Sequence, residues 1–145
     1  MNETEQMMTA FKRLIHVLST GKNRPFRYGD VSIHRAEVHI LELIGKNQGI
    51  TASGIGKIMP VTKGAISQTL KKLKERKLIQ TTESESDRKI IELYLTKKGK
   101  TVLDLHEARE KTLLKKIAPE LKDIDDDTLG RFTAVINHIS DFADE

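Results

Sequence analysis

The stretch from Val61 to Gly99 constrains the fold more than any other part of the chain. Thr62 precedes a run in which Ile66, Leu70 and Leu73 recur at helical spacing. A threonine there can accept from an orphan amide of the first turn, so a helix is expected over about residues 63–76. Thr51 can cap a shorter helix over about 52–59 in the same way, and Pro60 breaks it. Residues 78–83 and 90–95 read as strands, the second alternating Ile91, Leu93 and Leu95 with Ile90, Glu92 and Tyr94. The polar Ser84-Glu85-Ser86-Asp87-Arg88-Lys89 between them is turn-forming, and Thr96 caps a long helix over about 97–117, ending before Pro119.

Two helices meeting across so short a turn form a helix-turn-helix, and the hairpin that follows, with cations at its tip, completes a winged form of it. Charge supports a polyanionic partner. Residues 61–77 hold six basic side chains, among them Lys63, Lys71 and Lys72, against the single acid Glu75. Residues 119–145 hold eight acids against Lys122 and Arg131. A molecule with one basic end and one acidic end is oriented by the field of DNA.

Flanking this core are helices with one apolar side. Met7, Phe11, Leu14 and Leu18 mark a helix over residues 4–20, widened by Met8 and Ile15. Gly21 to Pro25 end it, and residues 22–30 read as a loop containing Phe26 and Tyr28. A second helix is expected from about Ile33 to Lys46, with Val38, Leu41 and Ile44 inward. Asp125-Asp126-Asp127 favour a helix start, after which Leu129, Phe132, Val135, Ile136, Ile139 and Phe142 form another stripe. A small winged-helix core needs neither terminal helix, so the two are expected to pair with each other and with a second chain. The fold class is therefore mainly α with a small β-wing, a single α+β domain. Residues 31–100 make the winged helix-turn-helix lobe; residues 1–20 and 101–145 are the dimerisation helices.

Composition excludes several classes. The chain has 145 residues and no cysteine, so disulfides and cysteine-based zinc sites are absent. No apolar run approaches the roughly 20 residues that span a bilayer, and the acidic N-terminus lacks a signal segment, so a cytoplasmic protein without a membrane partner is expected. Gly54-Ile55-Gly56-Lys57 lacks the spacing of a phosphate loop, and Ser53 and Ser67 lack a nucleophile-elbow context. No catalytic residue and no cofactor is expected. His34 with Glu37, and His106 with Glu110, share helix faces, but a buried or capping histidine accounts for them more simply, and no metal set is assigned.

At this point the chain resembles the MarR family of bacterial and archaeal transcriptional regulators. The resemblance covers the whole order of elements. It rests most on Val61 to Leu73, on the wing ending in Leu95-Thr96-x-x-Gly99, and on Glu37-Val38-His39. Three departures stand out. Lys77 occupies a position where relatives carry glycine, pointing to a different exit turn. Lys89 stands where the familiar wing arginine sits, beside Arg88. Gly54 and Gly56 weaken helix three, each by about 1 kcal/mol relative to alanine.

The resemblance implies a homodimeric repressor with recognition helices in successive major grooves, on a near-palindromic operator of double-stranded DNA. Thr62, Lys63, Gly64, Ser67, Gln68, Lys71 and Lys72 would form the DNA-binding face of helix four, with Arg88 and Lys89 at the wing tip. Gln68 suits adenine edges, Lys63 guanine, and Thr62 or Ser67 bases or phosphates; Gly64 lets the backbone approach, and Lys71 and Lys72 hold phosphates. Asp87 would brace Arg88 or Lys89 within the turn. A small anionic or aromatic effector would bind near Arg13, His16, Tyr28, Arg35 and His39, and release the operator. Two other readings remain open: a winged-helix module that binds protein partners, and a metal-responsive repressor.

Overall fold

The computed structural model describes residues 1–21 and 24–143. Lys22 and Asn23 of the expected loop, and the side chains of Leu18 and Phe142 in the two stripes, lie outside the described residues. In chain order the elements are α1 (Glu3–Gly21), β1 (Phe26–Tyr28), β2 (Val31–Ile33), α2 (Arg35–Lys46), α3 (Ala52–Ile58), α4 (Lys63–Glu75), β3 (Ile79–Glu83), β4 (Ile91–Leu95), α5 (Lys97–Leu121) and α6 (Asp126–Ala143).

All three threonine caps form. The Thr51, Thr62 and Thr96 hydroxyl oxygens accept from Gly54 N–H at 3.0 Å, Ala65 N–H at 3.2 Å and Gly99 N–H at 3.0 Å. Helix α3 forms despite its two glycines, and a Cβ on Gly54 would come within 3.0 Å of Ile50, so the glycine fits a close contact there. Val61 precedes the cap of α4 and Ile66 lies four residues past it. Both line the groove between α3 and α4, the placement of a hydrophobic staple.

The exit of α4 is closed in the ordinary way after all. Leu78 N–H reaches Leu73 O and Lys77 N–H reaches Lys74 O, each at 2.9 Å, the paired bonds of a Schellman motif. Lys77 takes the left-handed conformation, φ 59°, that glycine would hold at less strain. Leu73 and Leu78, which flank that turn, are completely buried, and their burial holds the lysine in place.

β3 pairs antiparallel with β4, Ile79 opposite Leu95 and Glu83 opposite Ile91. Ile50 adds one rung to the open edge of β4: its carbonyl accepts from Leu93 N–H, and Gly49 N–H donates to Leu93 O, which anchors the wing beside α3. The first turn of α5 then presses on the end of α4. A Cβ on Gly99 would lie 1.9 Å from the Leu78 carbonyl oxygen, so only glycine permits this approach. Thr96, the cap of α5, donates its hydroxyl to Lys77 O at 2.6 Å. The Thr-x-x-Gly spacing thus seats α5 against the end of α4.

Two expectations need correction. Residues 22–30 are not simply a loop, nor does Ile33 open α2: β1 and β2 form a hairpin pairing Phe26 with Ile33 and Tyr28 with Val31. Alternation buries Val31 and Ile33 beneath α2, so α2 starts only at Arg35. Three-residue strands are too short to show a periodicity. Helix α5 also does not stop before Pro119 but runs to Leu121. A proline removes one main-chain bond, and here every neighbour from Lys111 to Thr128 is exposed, so water can satisfy the freed carbonyl.

The core gathers Ile33, Val38, Leu41, Ile44, Ile55, Leu73, Leu78 and Leu93 with Val102 of α5. Each such side chain contributes about 1.5–3 kcal/mol by leaving water. One polar tie crosses it. Arg76, at the end of α4, donates to Ser32 O at 2.7 Å and to the buried Glu37 carboxylate, whose other oxygen accepts from His34 N–H. By contrast, Met7, Leu14 and Ile15 of α1, Leu113, Leu114 and Ile117 of α5, and Phe132, Val135 and Ile136 of α6 are exposed in the single chain.

Candidate nucleic-acid interface and a neighbouring cavity

Helix α4 buries Ile66 and Leu73 and leaves Thr62, Lys63, Gly64, Ala65, Ser67, Gln68, Lys71 and Lys72 exposed. Its basic residues divide into two groups. Lys74 donates to Thr81 at 3.1 Å and Arg76 is held by Ser32 and Glu37, so these two fasten the helix to its lobe. Lys71 lies 4.0 Å from Glu75 in a pair more than half exposed on both sides, which leaves it available to another anion. A Cβ built on Gly64 would meet nothing within 4 Å, so the helix start offers bare backbone to anything that approaches.

At the wing tip Arg88 and Lys89 are exposed. Asp87 does brace this turn, but through the main chain: its carboxylate accepts from Lys89 N–H at 2.9 Å. Further down the wing, Tyr94 donates to Glu92 at 2.7 Å, which holds the carboxyl below and the phenol above their ordinary ranges.

A cavity of about 300 Å³ lies between α2, β1 and α5, lined by Phe26, Arg35, His39, His106, Arg109 and Glu110 among others. His106 is buried; its Nδ1 is 2.7 Å from the Tyr28 hydroxyl and its Nε2 is 3.3 Å from Glu110. Burial pushes the Tyr28 phenol above its usual range, against the opposing pull of Arg109. Arg109 lies over the Phe26 ring at 4.9 Å and Arg35 at 6.0 Å, while Phe26 meets the His106 ring edge-on. Glu42, His106 and Glu110 bring three donor atoms within 4.8 Å of one another.

Of the residues expected around an effector, Arg35 and His39 line this cavity, and Tyr28 stands behind it through its bond to His106. Arg13 and His16 are exposed on α1, and Arg13 lines a different groove with Gln6, Leu14 and Val17. Sequence reading missed Phe26, Arg109 and the pairing of His106 with Tyr28. Only the spacing of His106 and Glu110 had given a signal.

Residues 32–90, from β2 through the wing turn, match the MarR family model. No curated protein matches the chain. Among solved structures, Streptococcus pneumoniae FabT in complex with DNA is 25% identical with a TM-score of 0.71, covering 97% of this chain and 94% of that one. The adhesin competence repressor AdcR of Streptococcus pyogenes is 15% identical, TM-score 0.75, over 100% of both chains. Lactococcus lactis ZitR, a zinc-responsive MarR family member, is 18% identical, TM-score 0.75, over 94% of this chain and 98% of that one. Over residues 32–90 the chain is similar to the MarR family, and its helix-turn-helix, wing and flanking helices follow one another in the order of a winged-helix DNA-binding transcriptional regulator.

Proposed function

We propose that the protein is a homodimeric cytoplasmic repressor that reads a near-palindromic operator and releases it when a small anionic or aromatic molecule binds. The exposed start of α4, with the polar and basic side chains of Lys63, Ser67 and Gln68 that the lobe itself does not use, carries this reading. In it Thr62, Lys63, Gly64, Ser67 and Gln68 face base edges, Lys71 and Lys72 face phosphates, and Arg88 and Lys89 reach the neighbouring groove. The effector would enter the cavity of Phe26, Arg35, His39 and Arg109, where two guanidinium groups flank an aromatic ring. Any shift of α2 there would pass through Glu37 and Arg76 to the end of α4.

Fluorescence anisotropy against a duplex selected from a random pool, over a salt series, tests the reading. Gln68→Ala should cost about 1–3 kcal/mol and relax preference at one base pair. Lys71→Ala should weaken all duplexes alike and lower the salt slope by about one unit. If both variants bind as the parent does, this face of α4 does not read DNA.

The cluster of Glu42, His106 and Glu110 favours a second reading, a metal-responsive repressor. With Nδ1–H donating to Tyr28, the Nε2 lone pair of His106 would be free for a cation alongside the two carboxylates, as a histidine ligand requires. Calorimetric titration with zinc should then show saturable binding to the parent that His106→Ala abolishes; equal heats from both would remove the metal reading.

A further inference from the structure

The reading helix also exposes carbon. Thr62, Ala65 and Thr69 recur at three and four along α4, which sets them on one flank, next to the Gly64 and Gln68 face. Thr62 spends its oxygen on the cap, accepting from Ala65 N–H at 3.2 Å. Thr69 turns its hydroxyl back on the helix, donating to Ala65 O at 2.9 Å. What Ala65 and Thr69 have left to offer a partner is carbon: Ala65 is exposed, and Thr69, one turn on, is half-buried with its hydroxyl already spent. Gly64, with open space where a Cβ would stand, lets a partner come close enough to touch them.

The one methyl group a base pair displays in the major groove is C5 of thymine. We propose that Ala65, with the Thr69 methyl behind it, reads thymine through that group, at a base pair adjoining the one Gln68 contacts. This rests on the reading above, that α4 enters the major groove. It adds a source of specificity that hydrogen-bond donors and acceptors do not supply, because cytosine and uracil lack the methyl. A methyl on each side leaves water when the surfaces meet.

Deoxyuridine differs from thymidine only by that methyl, so it isolates the contact. Duplexes enriched from a random pool by the full-length protein would be resynthesised with each thymine in turn replaced by deoxyuridine. Affinities would be measured for the parent, Ala65→Gly and Thr69→Ser. Thr69→Ser deletes the methyl and keeps the hydroxyl bond to Ala65 O, so it stays informative should the glycine variant fold poorly. At one thymine in each half-site the parent should lose about four-fold in affinity, the scale of one buried methyl. That loss should shrink toward none in Ala65→Gly and be reduced in Thr69→Ser, while other thymines respond alike in all three proteins. An enriched operator at which no thymine methyl is sensed by the parent more than by the variants would overturn this inference alone. Failure of the parent to enrich any duplex would overturn the operator reading, and this inference with it.

Discussion

Lys77 shows how one residue can carry strain that its neighbours impose. Its φ of 59° belongs to the left-handed region, which disfavours a side chain, yet both Schellman bonds form around it. Two effects oppose each other in Lys77→Gly. Relief of the left-handed strain is worth about 1–2 kcal/mol, and the added freedom of a glycine in the unfolded chain takes back about 1. The variant should therefore gain up to about 1 kcal/mol, read as a higher urea midpoint at unchanged slope. A lower midpoint would mean that the lysine side chain itself stabilises the turn. The substitution of lysine for the familiar glycine was visible in the sequence; that the turn survives it was not, because buried Leu73 and Leu78 enforce the turn.

At the scale of elements, what was legible follows the range of the interactions. Caps act over three residues, so Thr51, Thr62 and Thr96 announced the starts of α3, α4 and α5. Apolar periodicity over four turns marked α1 and α6 equally well. The short β1–β2 hairpin escaped, since its partners recognise each other only after Val31 and Ile33 have a core to enter. Pro119 misled for the complementary reason. Its penalty depends on whether the freed carbonyl is buried, a property of the surroundings rather than of the local sequence.

For the whole molecule, the exposed stripes of α1, α5 and α6 set the expectation. Leu113, Leu114 and Phe132 are 58, 64 and 54% exposed in the single chain, on helices whose buried members among the described residues are Gly99, Val102, Leu103 and His106. A monomer that left such stripes in water would forgo about 25 cal/mol per Å² of apolar surface. In the proposed dimer they cover one another, and thermal stability should rise with protein concentration. Leu113→Glu and Phe132→Glu should each shift sedimentation toward the monomer and weaken operator binding together with dimerisation, leaving the α4 surface unchanged. A melting temperature independent of concentration, with monomer in both parent and variants, would set the dimer aside.

By itself the sequence determined the helix-turn-helix, the wing and the charged face of α4, because each depends on bonds spanning three or four residues and on a periodicity that one turn repeats. The cavity was decided only in three dimensions. Phe26 comes from a hairpin, Arg35 and His39 from α2, and His106, Arg109 and Glu110 from the middle of α5, more than sixty residues further along the chain. They meet because α5 packs across α2 and β1, and no local spacing encodes that approach. Burial then makes His106 and Tyr28 partners, since a buried polar group must find one or forfeit its hydration.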